Sequence, residues 1–305
     1  MGVNKYNIKK WWNMIRGKSI YHVNQGVGKV YSFDEIKGYY NDLTEKVLKN
    51  EEKYDSTEVF KTRVVQGEVV HTISIFQYGL AAYDLILLGH DIELMKKKFI
   101  SFLNWAFDNQ NTDGSWDAFS FKSKEHPFSS MAQGEGASLL IRGYVFTGDK
   151  KYLDAAKKAL DFMLLPISEG GTSVIEGDKI ILYEFTNYPF VFNGWIFSIF
   201  GLIDYVTITK DEYYRTILNK TINTFKNNIQ KMDNGYWSKY SDDKKIASPF
   251  YHSLHISLLE ILYQYTGDKI FKEYKDLFSK YASKKANRNK AFIKKAFQKI
   301  KSKDD

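Results

Sequence analysis

The chain has 305 residues, with 44 lysines and arginines against 36 aspartates and glutamates, and no cysteine. The length supplies a full core for one large or two smaller domains, and the missing cysteines exclude disulfides, thiolate zinc sites and a cysteine nucleophile. Residues 279–305 hold ten basic residues against Asp304 and Asp305, which is the whole formal net charge of +8; a broadly basic, nucleic-acid-binding surface is therefore not expected.

The N-terminal residues lack the apolar core of a signal peptide. The longest apolar run, 190–206, is interrupted by Asn193, Gly194 and Ser198, so it reads as a buried helix, not a membrane span. The expectation is a soluble, cytoplasmic protein, at most peripheral at the inner membrane face. Residues 1–70 read as an arm with short strands, from the aromatic and β-branched runs at Trp11-Trp12, Tyr21 to Val30 and Val59 to Val70. Within it, Phe33 to Lys49 has helical spacing, with Ser32 as N-cap.

Residues 71–280 carry a repeat. Leu88-Gly-His-Asp91, Thr147-Gly-Asp149, Thr209-Lys-Asp211 and Thr266-Gly-Asp268 each follow an apolar run of helical period and precede a charged one. The aspartates lie 58, 62 and 57 residues apart. Each unit reads as an αα-hairpin: an apolar inner helix, a turn, then an amphipathic outer helix such as Lys150–Met163. Four such units bury each other's apolar faces if they curl into an α/α toroid, a mainly α fold with inner-helix ends facing a central funnel. Between the second and third units, Thr172 to Glu176 and Lys179 to Glu184 are β-branched runs around Gly177-Asp178. They predict a β-hairpin with a type I′ turn, expected to hang over the funnel and deliver Glu184 to an active site there.

Glu184 stands among Tyr183, Phe185, Tyr188 and Phe190, ahead of Asn193-Gly194. A carboxylate crowded by aromatics has its pKa raised, because burial disfavours the charged form, and such a group serves as acid or base near neutral pH. A surface turn with Glu184 in water is the alternative. Asn111-Thr-Asp-Gly114 resembles half of a calcium loop, but no bidentate Glu closes it and the string is ordinary turn chemistry. His252 and His255 lie at i, i+3 with no third ligand nearby, so no metal is expected; they bind substrate oxygens or pack.

Four blocks together resemble the D-glucuronyl C5-epimerases, in the family's order: Trp105-Ala-Phe-Asp-Asn-Gln-Asn-Thr-Asp-Gly-Ser-Trp116, Met131-Ala-Gln-Gly-Glu-Gly-Ala-Ser-Leu-Leu-Ile-Arg-Gly-Tyr144, Tyr188 to Tyr205, and Tyr251-His-Ser-Leu-His-Ile256. The resemblance implies an α/α toroid and cofactor-free inversion of C5 in glucuronic acid residues of an acidic polysaccharide. One group takes the proton from one face and another returns it on the opposite face. Glu184 matches the family's catalytic glutamate and Tyr251 its catalytic tyrosine. Tyr183 or Tyr188 takes the second aromatic role, because the family's Glu-Glu-Tyr-Pro is here Tyr-Glu-Phe-Thr-Asn-Tyr-Pro. Gln133, Arg142, Asn193, His252 and His255 are the candidates for holding substrate, with an ion pair to Glu135 or Asp149 as the alternative for Arg142. A homodimer is also implied. A polysaccharide lyase and a non-catalytic glycan-binding protein are the competing classes. Glycoside hydrolysis needs a second positioned carboxylate, for which Glu135 and Glu176 are loose candidates.

Residues 281–305 form a basic tail. Phe292, Ile293, Ala296, Phe297 and Ile300 share one helical stripe, flanked by Lys290, Lys294, Lys295, Lys299 and Lys301. Three fates are open to it: packing on the toroid, contact with an anionic membrane, or a grip on the polymer.

Overall fold

The computed structural model describes residues 23–64 and 67–301. Its scaffold is four αα-hairpins. Their inner and outer helices are α2 (Thr72–Leu87) and α3 (Ile92–Asp108), α4 (Ser130–Thr147) and α5 (Lys150–Leu164), α6 (Phe192–Thr209) and α7 (Glu212–Asn228), and α8 (Pro249–Thr266) and α9 (Lys269–Ser283). Each lies where the repeat places it, so the mainly α, hairpin-built toroid is present. The turns explain the repeat. Thr147, Thr209 and Thr266 each donate their hydroxyl to the carbonyl four residues back and accept the N–H of the aspartate two residues on. Asp149 and Asp211 then cap the outer helices. The residue between threonine and aspartate is left-handed, which is why two of the three are glycine.

Inner helices follow one another side by side, with α4 pressed closest to α6. A Cβ on Gly134 would lie 2.6 Å from the Cα of Ser198, so the contact is backbone to backbone. Helix α6 is long and apolar enough to cross a membrane, yet 83 % of it is buried within the protein. It is the core helix, as the interrupted apolar run predicts.

The arm differs from expectation. Only α1 (Glu45–Leu48) of the predicted helix over 33–49 forms. Ser32 instead accepts the N–H of Asp34 in a local turn, and backbone bonds from Gly28 to Tyr40, Gly38 to Val30 and Asp42 to Gly26 fold residues 26–42 back on themselves. The helical spacing of Ile36, Tyr39, Tyr40, Leu43 and Val47 is real burial in an irregular segment. Tyr39 donates its N–H to Asp84 on α2, Tyr40 donates its hydroxyl to Asp204 on α6, and Phe33 meets Tyr265 on α8. These tertiary contacts outweigh helix propensity. The arm thereby covers the C-terminal ends of the inner helices. Strands β1 (Thr62–Val64) and β2 (Gly67–Val69) pair antiparallel, and Val27 bridges Asn41. Trp11-Trp12 lies outside the described residues.

The insert is a hairpin of β3 (Ser173–Glu176) and β4 (Lys179–Leu182), with Glu176 opposite Lys179. Gly177 has φ +61 while Asp178 stays at negative φ, so the turn is of the II′ kind, with glycine first, not the expected I′. Nor does the hairpin overhang the funnel. Ile180 exchanges hydrogen bonds with Thr224 and Thr221 of α7, and Thr172 and Ser173 bond the last carbonyls of α5. Polar backbone of so short a ribbon is satisfied by lying along the outer helices, and only the following segment, 183–191, turns inward.

Candidate active site

Because every inner helix is followed by a returning outer one, the four inner helices run parallel and their N-termini share one face. Glu184 is brought there by its neighbour: Tyr183 donates its N–H to Thr172 and accepts from Ser130 N in the first turn of α4. Next to it Phe185 stacks on Phe119, with ring centres 4.4 Å apart. The Glu184 carboxyl lies over Gly194 in the first turn of α6, where an added Cβ would come 2.7 Å from Glu184 Cβ and closer still to Oε2. That helix begins at Val191 without a side-chain cap.

Glu184 is 6 % exposed and its Oε2 has no hydrogen-bond partner. Burial pushes its pKa up to about 7, against the pull of Lys122. The positive end of α6 acts in the same direction as Lys122. A second carboxyl is close enough to feel it. Glu135, fully buried on α4, is pushed up to about 8 by burial, with the Glu184 charge adding to the rise and Gln77 and Lys46 opposing it. Gln77 donates to Glu135 Oε1 at 2.9 Å, leaving Oε2 unpartnered. Lys46 of α1 is pushed down to about 8 by burial. His71, the N-cap of α2, is pushed down to about 4 by burial and by the charges of Lys122 and Lys46. Asn193 is buried with its Oδ1 unpartnered. Two acids and a lysine with pKa values near neutrality, with orphan acceptors beside them, suit proton transfer to and from a polar ligand.

Tyr251 is half-buried in the first turn of α8, whose N-cap is Ser248. Its ring centre is 4.8 Å from that of Tyr240. The Tyr240 carbonyl accepts from Phe192 N at the start of α6, so Tyr251 and Glu184 flank the same helix start. Tyr183 is half-buried, its phenol raised by burial and then by Asp242 and Glu176. Tyr188 is exposed, with the Lys245 ammonium 4.3 Å over its ring and bonded to its hydroxyl. On the same face a cavity of about 340 Å³ is lined by Trp105, Trp116, Thr72 and Phe121.

Four expected substrate contacts are interior instead. Gln133 accepts from Trp116 N and donates to the carbonyls of Gly114 and Ala159, which spends its amide on holding the 111–116 loop against α5. Arg142 is 1 % exposed and pairs with Asp204 at 2.7 Å, also bonding the carbonyls of Ser138 and Gly38. It sits at the arm-covered end, away from Glu184, and its partner is neither Glu135 nor Asp149. His252 is stacked 3.6 Å from Trp237, with Nδ1 at Ser238 and Nε2 at the Phe278 carbonyl. His255 is fully buried with Nδ1 at Ser238 Oγ. Burial pushes their pKa values down to about 4 and about 3, so both are neutral, and Nε2 of His255 is left without a partner. In the 111–114 loop, Asp113 accepts from the backbone and hydroxyl of Ser115, and Asn111 bonds the same hydroxyl; the turn reading holds.

Sequence reasoning passed over Lys46 and Lys122, which stand in no motif. Gln77, in the first turns of α2, lies outside the four blocks as well. Glu135 was weighed for hydrolysis and as an ion-pair partner of Arg142. Its position, two residues into Gln133-Gly-Glu-Gly136 on an inner helix, was the signal that it faces the core.

A profile of the family described as D-glucuronyl C5-epimerase C-terminus matches residues 110–280. The D-glucuronyl C5-epimerase of Caenorhabditis elegans is 27 % identical over 221 residues, covering 63 % of this chain and 36 % of its own length. An uncharacterized protein of Methanocaldococcus jannaschii is 24 % identical over 188 residues, 58 % of each chain. The chain thus spans about a third to just over half of these relatives. Among solved structures, the unsaturated glucuronyl hydrolase of Bacillus sp. GL1 superposes with a TM-score of 0.49 at 14 % identity, covering 79 % of this chain and 66 % of that one.

Proposed function

The chain belongs to the family of the D-glucuronyl C5-epimerase C-terminus, and from that premise we propose that it inverts C5 of D-glucuronic acid residues, giving L-iduronic acid, within an acidic polysaccharide of heparosan type. The observation that carries this reading is Glu184: a buried carboxyl with a free oxygen and a pKa of about 7, fixed at the start of α6 on the inner-helix face. C5 lies beside the substrate carboxylate, so its proton is removable once the resulting enolate is stabilised. Glu184 removes it, and the phenol of Tyr251 delivers a proton to the opposite face. Lys122, whose charge reaches Glu184, offsets the negative charge that develops. Asn193 Oδ1 takes a sugar hydroxyl. The route needs no cofactor.

The test is incubation with glucuronic acid polysaccharides in heavy water, following C5 by NMR. Deuterium at C5 with L-iduronic acid in the product is the expected result. A new ultraviolet-absorbing double bond would identify a lyase, which starts with the same proton removal but expels the 4-linked sugar. Binding without C5 exchange on any such polymer would reject an enzymatic role. Glu184→Gln and Tyr251→Phe each remove one proton carrier, so each abolishes exchange with inversion; full turnover in both refutes the assignment.

A further inference from the structure

The basic tail resolves into α10 (Lys285–Lys301), and it is attached by the side the sequence does not suggest. Ala291 is fully buried beside Trp237, Ile246 and Ala247. Lys295 donates to the Ile246 carbonyl, and Gln298 accepts from Ile246 N while donating to the Lys244 carbonyl. Arg288 ties the helix start to the carbonyls of Ala282 and Ser283. At about 100° per residue, Ala291, Lys295 and Gln298 share one side. The apolar stripe is on the other side: Phe292, Ile293 and Phe297 are 42 %, 54 % and 59 % exposed. Lys290 and Lys294 edge that stripe and lie over the ring of Tyr236, at 4.0 and 5.9 Å. Together with Ile293 and Phe297 they line an open cavity of about 610 Å³.

A helix held down by one small residue and three polar anchors, with its large apolar side chains turned outward, has that face free for a partner. We propose that this face docks on an anionic lipid bilayer, with Phe292, Ile293 and Phe297 entering the acyl boundary and the lysines at the headgroup phosphates. Charge selects the occupant. Residues 279–305 hold ten basic side chains against two acidic ones, so a second copy would bring two like-charged helices together. An acidic polymer would answer the lysines but leave Ile293 and the phenylalanine edges in water, whereas a bilayer satisfies both sets. The helix lies flat on its own globule, which is the posture an interfacial helix takes on a membrane.

The test is flotation of the full chain with vesicles of phosphatidylcholine alone or mixed with phosphatidylglycerol. Binding is expected with the mixed vesicles only, and is expected to weaken as salt rises, because lysine attraction at the surface is screened. Lys290→Gln/Lys294→Gln removes two basic groups, each worth about a fivefold change in partition, for a loss of about twenty-five-fold. Phe292→Ser/Phe297→Ser changes only exposed positions, so the melting temperature stays and flotation is lost. Flotation unchanged in both variants, or absent in the parent, overturns the proposal. So does a result in which the variants float normally but lose affinity for heparosan, because the face is then a polymer site.

Discussion

Gly194→Ala separates two readings of the start of α6 by sign. If Glu184 merely lay nearby, alanine in the helix would stabilise it by up to about 1 kcal/mol relative to glycine. Instead the new Cβ meets Glu184 Cβ at 2.7 Å, where ordinary contact begins at 3.4 Å, and meets the carboxyl oxygen closer still. The Glu184 stem must retreat by about 0.7 Å, the difference between those distances, and Tyr183, bonded to Thr172 and Ser130, gives it little room. Overpacking of this kind costs about 1–3 kcal/mol. Displacing a reacting group by about 1 Å costs about a hundredfold in rate. Urea unfolding and C5 deuterium exchange are the two assays. The expected result is lower stability with exchange reduced about a hundredfold. Glu184→Gly on the same background removes both the Cβ and the carboxyl that the new methyl meets, so part of the stability returns while exchange does not. A Gly194→Ala protein as stable as the parent and equally active refutes this placement of Glu184.

Glu184 is pushed up to about 7 from 4.5, so the unfolded chain ionises first and stability falls as pH rises between those values, by about 3 kcal/mol at most at 1.36 kcal/mol per unit. Glu184→Gln is therefore expected to stabilise the protein at pH 8 and leave it unchanged near pH 4, as urea midpoints will show; a Gln variant less stable at pH 8 contradicts the burial. The same shift predicts that C5 exchange rises through a pH of about 7, which a pH–rate profile measures. Arg142→Met leaves Asp204 buried without its partner and is expected to cost about 3–5 kcal/mol, with Arg142→Met/Asp204→Leu recovering most of it; chemical denaturation decides, and equal stability of the two variants contradicts the pair. Gln133→Leu unpairs Trp116 N and the carbonyls of Gly114 and Ala159, so the melting temperature falls. A loss of polymer affinity at unchanged melting temperature would instead restore Gln133 to the substrate.

Helix periodicity and the Thr-x-Asp turns were legible because both are local. Each turn's hydrogen bonds close within six residues, so spacing alone placed all four hairpins. The arm was not legible for the opposite reason: Tyr39 and Tyr40 are held by Asp84 and Asp204, 45 and 164 residues away, and no window of sequence contains those partners. The site divides along the same line. Glu184 was readable from its aromatic neighbours, because crowding by adjacent residues is a local property. For Arg142, His252 and His255 the sequence left substrate contact and packing both open, because charge and polarity in a motif look the same whether a ligand or the core satisfies them. Their partners Asp204, Ser238 and Phe278 are fixed only by folding. Glu135 shows the reverse case. Like Glu184, it is a buried acid with an oxygen the fold leaves unsatisfied, and a carboxyl costs too much to bury in that state unless something beyond packing retains it. The tail follows the same logic. The stripe from Phe292 to Phe297 was visible as periodicity, but a stripe does not say which side faces the globule. The fold decides that through Ala291, Lys295 and Gln298, leaving outward the face that amphipathicity alone would have buried.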